Sequence, residues 1–587
     1  MTTPAAPDPV VARVIPDLTG LDRQFDYLVP PALVAQVGIG TQVRVSLAGR
    51  RIGGWVASIG GPDPKMGVER LLPIIKVTGY GPSQPLFDLA AWAVPRWAGR
   101  LRAFLVAASP HTAVAALPAA SFGPPVPQPV NAGAAQLLAV GGGLMRVPPC
   151  TDVLTAVLSA CCLGPVVLVA PSLVEARLLA ARLRRSGRTV ALLPSDWAAA
   201  AAGVDVVVGA RTAIWGPCPN IAAVVVVDEH DESLQEQRQP TWHAREVAIE
   251  RARQAGVPCL LISPVPSIAA IYWAGPRLVR PATIDERDGW PMVEIVDRSR
   301  DEPWQRSMVT SALIRQLRDP ERIVVCVLNT TGRARLLACR SCKSLQRCEL
   351  CEAAVIQNDD SRFVCLRCTT VRPAVCQECG GSAFANLRKG VTRLREELQA
   401  AAGRPVVAVT AANNESDLVA EAGVYIGTEA VLHRVRRADT VCFLDFDDEL
   451  LAPRYRAAEQ AMTLLSRAAR VVGGRTVGGR LLIQTFLPKH EVIDAVRHSD
   501  PGRLVTKELA RRTALGFPPV AALAVLSGGG AHELAALLPG DQVQTARTLD
   551  GRVMLRSSSW DLLGAALSTT PRPKGARIRI EIDPPRV

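Results

Sequence analysis

The sequence predicts a multidomain α/β protein, and three observations carry that reading. Short apolar runs alternate with helical segments, the N-terminal end shifts to β-rich composition, and eight cysteines crowd between Cys339 and Cys379. Apolar residues make up 48% of the 587 residues, enough for each of several domains to bury its own core.

From residue 11 to 60, β-rich runs such as "VRVSLAG" and "IGGWVASIG" alternate with Gly and Pro turns, the pattern of a small β-barrel-like module. Ala113 to Ala134 reads "AVAALPAASFGPPVPQPVNAGA", an uncharged Pro/Ala-rich linker. Beyond it, "PVVLVA", "DVVVGA", "AAVVVVDE" and "CLLIS" alternate with helical segments such as "SLVEARLLAARLRRSG", which argues for a parallel sheet. A second lobe of the same kind runs through "RIVVCVLN", "RPVVAVT", "GVYIGTEA", "TVCFLDF" and "GRLLIQTFLP", with the cysteine segment inserted after its first strand.

Lys and Arg outnumber Asp and Glu by 67 to 54, a formal charge of +13 that suits a polyanionic partner without identifying one. The first residues lack a basic segment followed by an apolar core, and no run of about 18 apolar residues occurs. Secretion and membrane spanning are therefore not expected, and the expected location is the cytoplasm. In a reducing compartment, clustered cysteines read as metal thiolates before disulfides.

The eight cysteines form four C-x2-C pairs: Cys339/Cys342, Cys348/Cys351, Cys365/Cys368 and Cys376/Cys379. Each pair has the size of a zinc knuckle, and two knuckles complete a tetrahedral four-thiolate site, so eight ligands predict two zinc ions. Five residues separate the first pair from the second, too few for an easy return to the same ion, whereas 13 between Cys351 and Cys365 allow a hairpin. Nested pairing is the better fit: Cys348, Cys351, Cys365 and Cys368 on one ion, Cys339, Cys342, Cys376 and Cys379 on the other. Sequential pairing stays open at this point. Four thiolates leave no coordination position for substrate, so both ions are expected to be structural. The remaining seven cysteines (Cys150, Cys161, Cys162, Cys218, Cys259, Cys326, Cys442) lie in apolar surroundings and read as core.

Longer stretches carry a resemblance. "RQFDYLVPP", "GARTAIWGP", "VVVVDEHDESLQEQ" with "TWHAREVA", the cysteine spacing, "DFDDELLAPRYRAAEQAMTLLSRAAR" and "LGFPPVAALAVL" together resemble the PriA family of bacterial replication restart proteins over most of the chain. The resemblance implies a β-rich 3′-DNA-end-binding domain (1–112), a linker (113–135) and two RecA-like helicase lobes (136–282 and 283–485). It also implies a double zinc insertion at 337–382 in the second lobe, nested zinc pairing, and a small α+β C-terminal domain (486–587). The interval before the first lobe is too short for the family's winged-helix domain, so that module is expected to be missing.

The same resemblance carries Phe25, Asp26 and Tyr27 onto the pocket for a nascent 3′ terminus. There a carboxylate can accept a hydrogen bond from the 3′-OH and an aromatic can stack on the last base. The pocket's basic residue falls on Leu72, with Arg70 nearby.

The nucleotide motifs are eroded. Where the family has G-x-x-G-x-G-K-T, this chain has "LMRVPPCT": Pro148 and Pro149 have no N–H to offer a phosphate, Cys150 stands at the lysine position, and only Thr151 matches. No lysine occurs between Lys76 and Lys343, and "VGGG" at Val140 to Gly143 reads as a flexible loop. Asp228 and Glu229 remain of the D-E-E-H motif and read as an acidic strand end, and "SPVPS" from Ser263 stands where S-A-T-P is expected. The arginines that would reach a γ-phosphate fall on Val471 and Gly474, with Arg470 and Arg475 adjacent.

The expected function is replication restart. The chain would bind stalled or branched forks through the nascent 3′ end, promote primosome assembly and load the replicative helicase, with no helicase activity of its own. Expected partners are forked or branched DNA, other primosome proteins and the replicative helicase, with no membrane; the expected cofactors are two structural zinc ions, not ATP or magnesium. The expected location is cytoplasmic and nucleoid-associated. Two rivals stand beside this reading: an active 3′-to-5′ helicase with a non-standard nucleotide site, which DNA-stimulated ATP hydrolysis would reveal, and a pure protein scaffold, which fork binding would exclude. Arg340, Lys343, Arg347, Arg362, Arg367 and Arg372, with basic patches at Arg434 and Leu509, suit phosphate contacts or a solvated surface equally.

Overall fold

The computed structural model describes residues 9–586 apart from 22, 62–67, 125–129, 302–306, 329–336, 343, 359, 387–390, 410–422, 549 and 574. Lys343 and part of the linker thus lie outside the described residues.

The N-terminal strands Val11–Pro16 (β1), Phe25–Leu28 (β2), Gln42–Leu47 (β3), Arg50–Gly60 (β4) and Lys76–Gly79 (β5) form an antiparallel sheet in the order β2-β1-β4-β3-β5. Its pleat explains the sequence: Val43 and Val45 point into the core while Arg44 between them is exposed. Two helices, Gln84–Arg96 and Leu101–Ala108, then carry the chain onto the next domain. The attachment is aromatic: Trp97 packs on Phe104 (centroids 6.4 Å apart), Phe104 on Trp215 (5.4 Å) and Trp215 on Trp242 (5.7 Å). A shared apolar core of this kind fixes one domain against another.

The linker does not hang loose. Val114 O accepts from Tyr80 N of the N-terminal domain, Ser121 N donates to Gly203 O and Gly123 N donates to Asp205 Oδ2, so the described part of the segment is tied to the N-terminal domain at its start and to the first lobe beyond.

That lobe is a seven-stranded parallel sheet of Gly142–Arg146 (β6), Val166–Val169 (β7), Val190–Leu192 (β8), Val206–Gly209 (β9), Ala223–Val227 (β10), Cys259–Ser263 (β11) and Leu278–Val279 (β12), ordered β12-β6-β11-β10-β7-β9-β8. Every residue of β7, β9, β10 and β11 is buried, which is why these strands read as unbroken valine and leucine runs. The "VGGG" expectation is corrected here. Gly142 and Gly143 are buried residues of β6, and a Cβ on Gly142 (φ +100) would lie 2.1 Å from Cys259 O, so glycine serves close strand approach.

The second lobe is a six-stranded parallel sheet. It comprises Met292–Asp297 (β13), Val324–Val327 (β14), Val406–Val409 (β20), Val424–Gly427 (β21), Thr440–Phe443 (β22) and Arg480–Thr485 (β23), in the order β13-β23-β22-β14-β21-β20. Between β14 and β20 runs the cysteine insertion, with the pair Leu337–Cys339 (β15) and Phe384–Asn386 (β19) and the small sheet Val355–Gln357 (β16), Arg362–Cys365 (β17) and Val371–Pro373 (β18).

The C-terminal domain is an antiparallel sheet, β25-β26-β24-β27, built from Ala522–Ser527 (β24), Gln544–Arg547 (β25), Val553–Ser557 (β26) and Arg579–Ile582 (β27), with helices Ala531–Leu537 and Trp560–Thr569. Its last strand and the residue after it touch both lobes. Ile582 N donates to Thr241 Oγ1 (2.9 Å) on the first, and Asp583 accepts from Arg456 (2.6 Å) on the second. Among the described residues, no helix is long and apolar enough to cross a membrane.

Candidate functional site

In open parallel sheets, ligands sit beyond the carboxyl ends of the strands. At that edge of the first lobe, β6 runs into Val147–Thr151 and β10 ends on Asp228 and Glu229. Facing them is the last turn of the helix Ala457–Val472 from the second lobe, which carries Arg467 and Arg470.

The two lobes are joined there by the protein's own charges. Arg470 donates both terminal nitrogens to Asp228, at 2.6 Å to each carboxylate oxygen, and its Nε to Pro149 O at 2.8 Å. Such two-pronged guanidinium–carboxylate pairs are among the strongest hydrogen-bonded contacts. Arg467 pairs with Asp231 at 3.0 Å. Burial raises the Asp228 carboxyl more than any single neighbour lowers it, but the Arg470 charge and hydrogen bonds, with nearby His230, together hold the group below the usual carboxylate range. Glu175, on the helix Leu173–Arg185, has no such partner among the described residues: burial, aided by the nearby Asp228 charge, pushes its carboxyl up to about 7. Its Oε2 is buried without a hydrogen bond.

Glu229 is also spoken for. It is fully buried and accepts from Arg245 at 3.0 Å, from Ser267 N at 2.7 Å and from Ser267 Oγ at 2.8 Å. The loop that replaces the phosphate cradle is packed too, since a Cβ on Gly289 would meet Pro148 Cβ at 2.2 Å. Cys150 Sγ faces Ala469 O across the lobe boundary at 3.7 Å. A nucleoside triphosphate with magnesium does not fit this arrangement: its cradle has no N–H at Pro148 and Pro149, and Asp228 and Glu229 already hold arginines.

The cysteines come together in two groups, Cys339, Cys342, Cys376 and Cys379 in one, Cys348, Cys351, Cys365 and Cys368 in the other. Within each group the sulfurs lie within 4.8 Å of one another. The local device repeats. Glu352, Thr369 and Gly380, each the residue after a pair's second cysteine, have positive φ (60°, 63° and 73°), and each donates its N–H to the carbonyl of that pair's first cysteine. This tight turn aims both sulfurs to one side.

Several Sγ–Sγ separations fall between 3.4 and 3.6 Å. Four thiolates around one zinc at about 2.3 Å would stand about 3.8 Å apart, so both groups fit a zinc ion. Outer hydroxyls are placed to steady the sulfurs: Ser344 Oγ lies 3.1 Å from Cys376 Sγ and Thr370 Oγ1 lies 3.1 Å from Cys368 Sγ. Arg367 is buried and donates to Cys351 O and Ala452 O, tying the insertion to the second lobe. Arg372 lies over the Phe363 ring at 4.7 Å. Of the basic residues in this segment, Arg367 is therefore a structural brace and not a phosphate contact.

Of the other seven cysteines, Cys161, Cys259, Cys326 and Cys442 are buried; Cys150 and Cys162 are exposed and Cys218 is partly so, which corrects the uniform core expectation.

On β2, alternation separates the three residues of the expected 3′-end pocket. Phe25 and Tyr27 face the domain core, where Tyr27 is buried and its hydroxyl donates to Ser46 O at 2.9 Å. Stacking on a base is thus not open to Tyr27. Asp26 points to the other face and pairs with Arg13, its cross-strand neighbour, at 3.0 Å. Leu72 O accepts from Leu28 N, so exposed Leu72 and Arg70 edge the same strand.

Residues 13–110 match the family model described as the 3′DNA-binding domain (3′BD) of PriA. A probable replication restart protein PriA from Mycobacterium tuberculosis (strain ATCC 25618 / H37Rv) is 27% identical over 583 residues, 86% of this chain and 85% of that protein. The chain is therefore similar to the PriA replication restart proteins over most of its length. The PriA of Bacillus subtilis (strain 168) is 26% identical over 347 residues, 55% of this chain, and the chain spans less than half of that relative, 43%. Among solved structures, S. cerevisiae Dbp5 bound to RNA and ADP BeF3 aligns with 65% of this chain and 91% of its own at 11% identity, with a TM-score of 0.35.

The positions where the resemblance expects cross-lobe arginines hold Val471 and Gly474; the residue that crosses the lobe boundary here is Arg470, one residue from Val471, and it ends on Asp228. Sequence reasoning misses Arg245 altogether. The signal is present, because a buried glutamate on a strand end needs a cation and "HARE" supplies one, but 16 residues separate the two.

Proposed function

We propose that this chain binds stalled or branched replication forks, taking the nascent 3′ end on its N-terminal domain, and promotes primosome assembly and replicative-helicase loading without ATP-driven unwinding. The observation that carries the reading is Arg470 seated on Asp228 and Pro149, on a chain whose N-terminal domain matches the 3′-DNA-binding module. In this scheme Asp26 accepts a hydrogen bond from the terminal 3′-OH and Phe25 and Tyr27 build the strand beneath it. The tetrathiol groups hold two zinc ions that keep the insertion folded as a platform for partner proteins. The protein works in the cytoplasm, at the nucleoid.

Lobe closure in a motor is normally driven by the nucleotide; here the Arg470–Asp228 and Arg467–Asp231 pairs supply that attraction permanently. Removing the phosphate cradle, its lysine and the properly placed arginines together eliminates the groups that stabilise charge in phosphoryl transfer.

The test is a titration of intact protein with forked DNA carrying a free or a 3′-blocked nascent end, at several salt concentrations, with and without Mg-ATP. Log affinity should fall linearly with log salt, the free end should bind more tightly, and Asp26→Asn should reduce that preference by about tenfold, the worth of one hydrogen bond to a charged group. End-blind binding would overturn the assignment of Asp26, and DNA-stimulated ATP hydrolysis would overturn the passive role.

A further inference from the structure

A cavity of about 1050 Å³ lies between the N-terminal domain and the first lobe, walled by residues around Gln36–Thr41 and Val77–Asp88 on one side and by Trp197, Cys218–Ile221 and Arg251 on the other. It shares no wall residue with the interlobe cleft or with Asp26, so a ligand there can be tested separately from the Asp26 and cleft assignments.

Arg251 is the unusual feature. It sits on the helix Ala244–Ala255 with 7% of its surface exposed, and its one described hydrogen bond goes from Nη1 to Ile214 O at 2.5 Å. Among the described residues no carboxylate pairs with it. Neighbouring Glu250 is engaged by Arg253 and Gln254, and the wall's one carboxylate, Asp88, is at the exposed rim, accepting from Gln84. Burial pushes the nearby Cys218 thiol up to about 11, so that group stays neutral and offers no counter-charge. Burying a guanidinium without an anion is costly, and burial brings its own basicity down to about 10. Arg245, buried on the same helix, has the carboxylate partner that Arg251 lacks.

The rest of the wall describes the missing partner. Tyr80 is 48% exposed at the cavity and Trp197, Leu86, Val77 and Ile221 form apolar sides. A guanidinium fork matches a phosphate, an exposed aromatic face matches a base, and the volume is just above the usual range for small-ligand sites, about 300–1000 Å³, so a nucleotide has room. We propose that this cavity binds a nucleoside phosphate, with the phosphate on Arg251 and the base on Tyr80, either as a free mononucleotide or as the terminal nucleotide of a DNA strand.

The test uses the intact chain and three probes: inorganic phosphate, dAMP and a short single-stranded oligonucleotide. dAMP or the oligonucleotide should raise the melting temperature and slow alkylation of Cys218, read by mass spectrometry. Arg251→Met should weaken that binding at least tenfold while leaving the ligand-free melting temperature equal or higher, because a buried unpaired charge is gone; Tyr80→Ala should weaken it several-fold. Binding of dAMP alone assigns the free nucleotide, and binding of the oligonucleotide alone assigns a strand end. Should Arg251→Met fail to fold, Cys218 protection in the unsubstituted protein and the Tyr80→Ala variant still decide. The proposal falls if neither nucleotide probe protects Cys218, if Arg251→Met binds them unchanged, or if inorganic phosphate does as well as dAMP.

Discussion

The interlobe cleft and the cysteine insertion are both regions where a family resemblance implies a bound ligand, and they part company in what their own side chains do. In the cleft Pro148, Pro149 and Cys150 stand where the resemblance expects phosphate-binding groups, and the two carboxylates there are neutralised from within, Asp228 by Arg470 and Glu229 by Arg245. In the insertion the sulfurs converge in two groups of four, and the buried basic neighbour Arg367 spends its hydrogen bonds on the Cys351 and Ala452 carbonyls and not on a sulfur. The difference teaches that buried carboxylates left unpaired are costly and can be satisfied by cations of the chain itself. Four converging thiolates carry too much charge for one side chain to balance, and their geometry fits a metal ion.

The largest effect should come from breaking the metal side of this contrast. Cys351→Ser removes a buried sulfur of the Cys348, Cys351, Cys365 and Cys368 group and should lower bound zinc from two ions to one per chain while exposing 337–386 to proteolysis. Structural zinc contributes about 10 kcal/mol or more to folding of small modules, so local unfolding is the expected outcome. Metal content and mapped cleavage check it. Retention of two ions would sink the tetrathiol assignment.

Next in size is the cleft. Arg470→Ala leaves Asp228 buried without a cation and should destabilise the chain by about 3 kcal/mol, the low end for breaking a buried pair, because the arginine reaches solvent. Replacing both, Arg470→Leu with Asp228→Asn, should recover most of that loss. A denaturation double-mutant cycle measures the coupling. Additive effects would mean that the pair does not hold the lobes.

These two regions also differ in how much of them the sequence discloses. The cysteine groups are legible because C-x2-C spacing encodes a local turn, and loop length alone favours the nested grouping. Loss of the phosphate cradle is legible for the same reason, since Pro148 and Pro149 lack their N–H wherever they fold. What fills the gap is not, because Arg470 meets Asp228 across 242 residues of chain. The parallel lobes announce themselves through their valine runs. The triad Phe25, Asp26 and Tyr27 misleads in a different way: in sequence it reads as one pocket, although strand pleating sends its middle member to the opposite face. Gly142 and Gly143 mislead because a glycine run suggests a loop unless one knows that Cys259 passes beside it.

A smaller effect sharpens the electrostatics of the cleft. The Glu175 carboxyl has its folded pKa raised from an ordinary 4.5 to about 7 by burial and by Asp228. The folded state therefore holds a proton that the unfolded state releases, and stability falls as pH rises between those values. Asp228 works in the opposite sense: its depressed pKa makes its contribution full above the ordinary carboxylate range and lost on acidification. Glu175→Gln should flatten the loss between about pH 5 and 7, by at most about 3 kcal/mol at about 1.4 kcal/mol per pKa unit. Urea midpoints across that pH range test it, and an unchanged slope would show that Glu175 keeps its charge in the folded cleft.

The smallest expected effect is a null one, and it tests the comparison most directly. Cys150→Lys restores the residue type that a phosphate cradle places at this position, so if one missing lysine were the whole defect, nucleotide binding should return. It should not. The new ammonium would lie beside Arg470, whose guanidinium already occupies Asp228 and Pro149 O, and like charges there would repel. The backbone ahead of it would still present two prolines, and Pro148 would still be wedged against Gly289. The variant should bind no ATP analogue by fluorescence titration and should be slightly less stable than the parent. Measurable Mg-ATP binding by Cys150→Lys would mean that the arginines yield to phosphate, and that the cleft is a nucleotide site lacking one group instead of a latch built from its own charges.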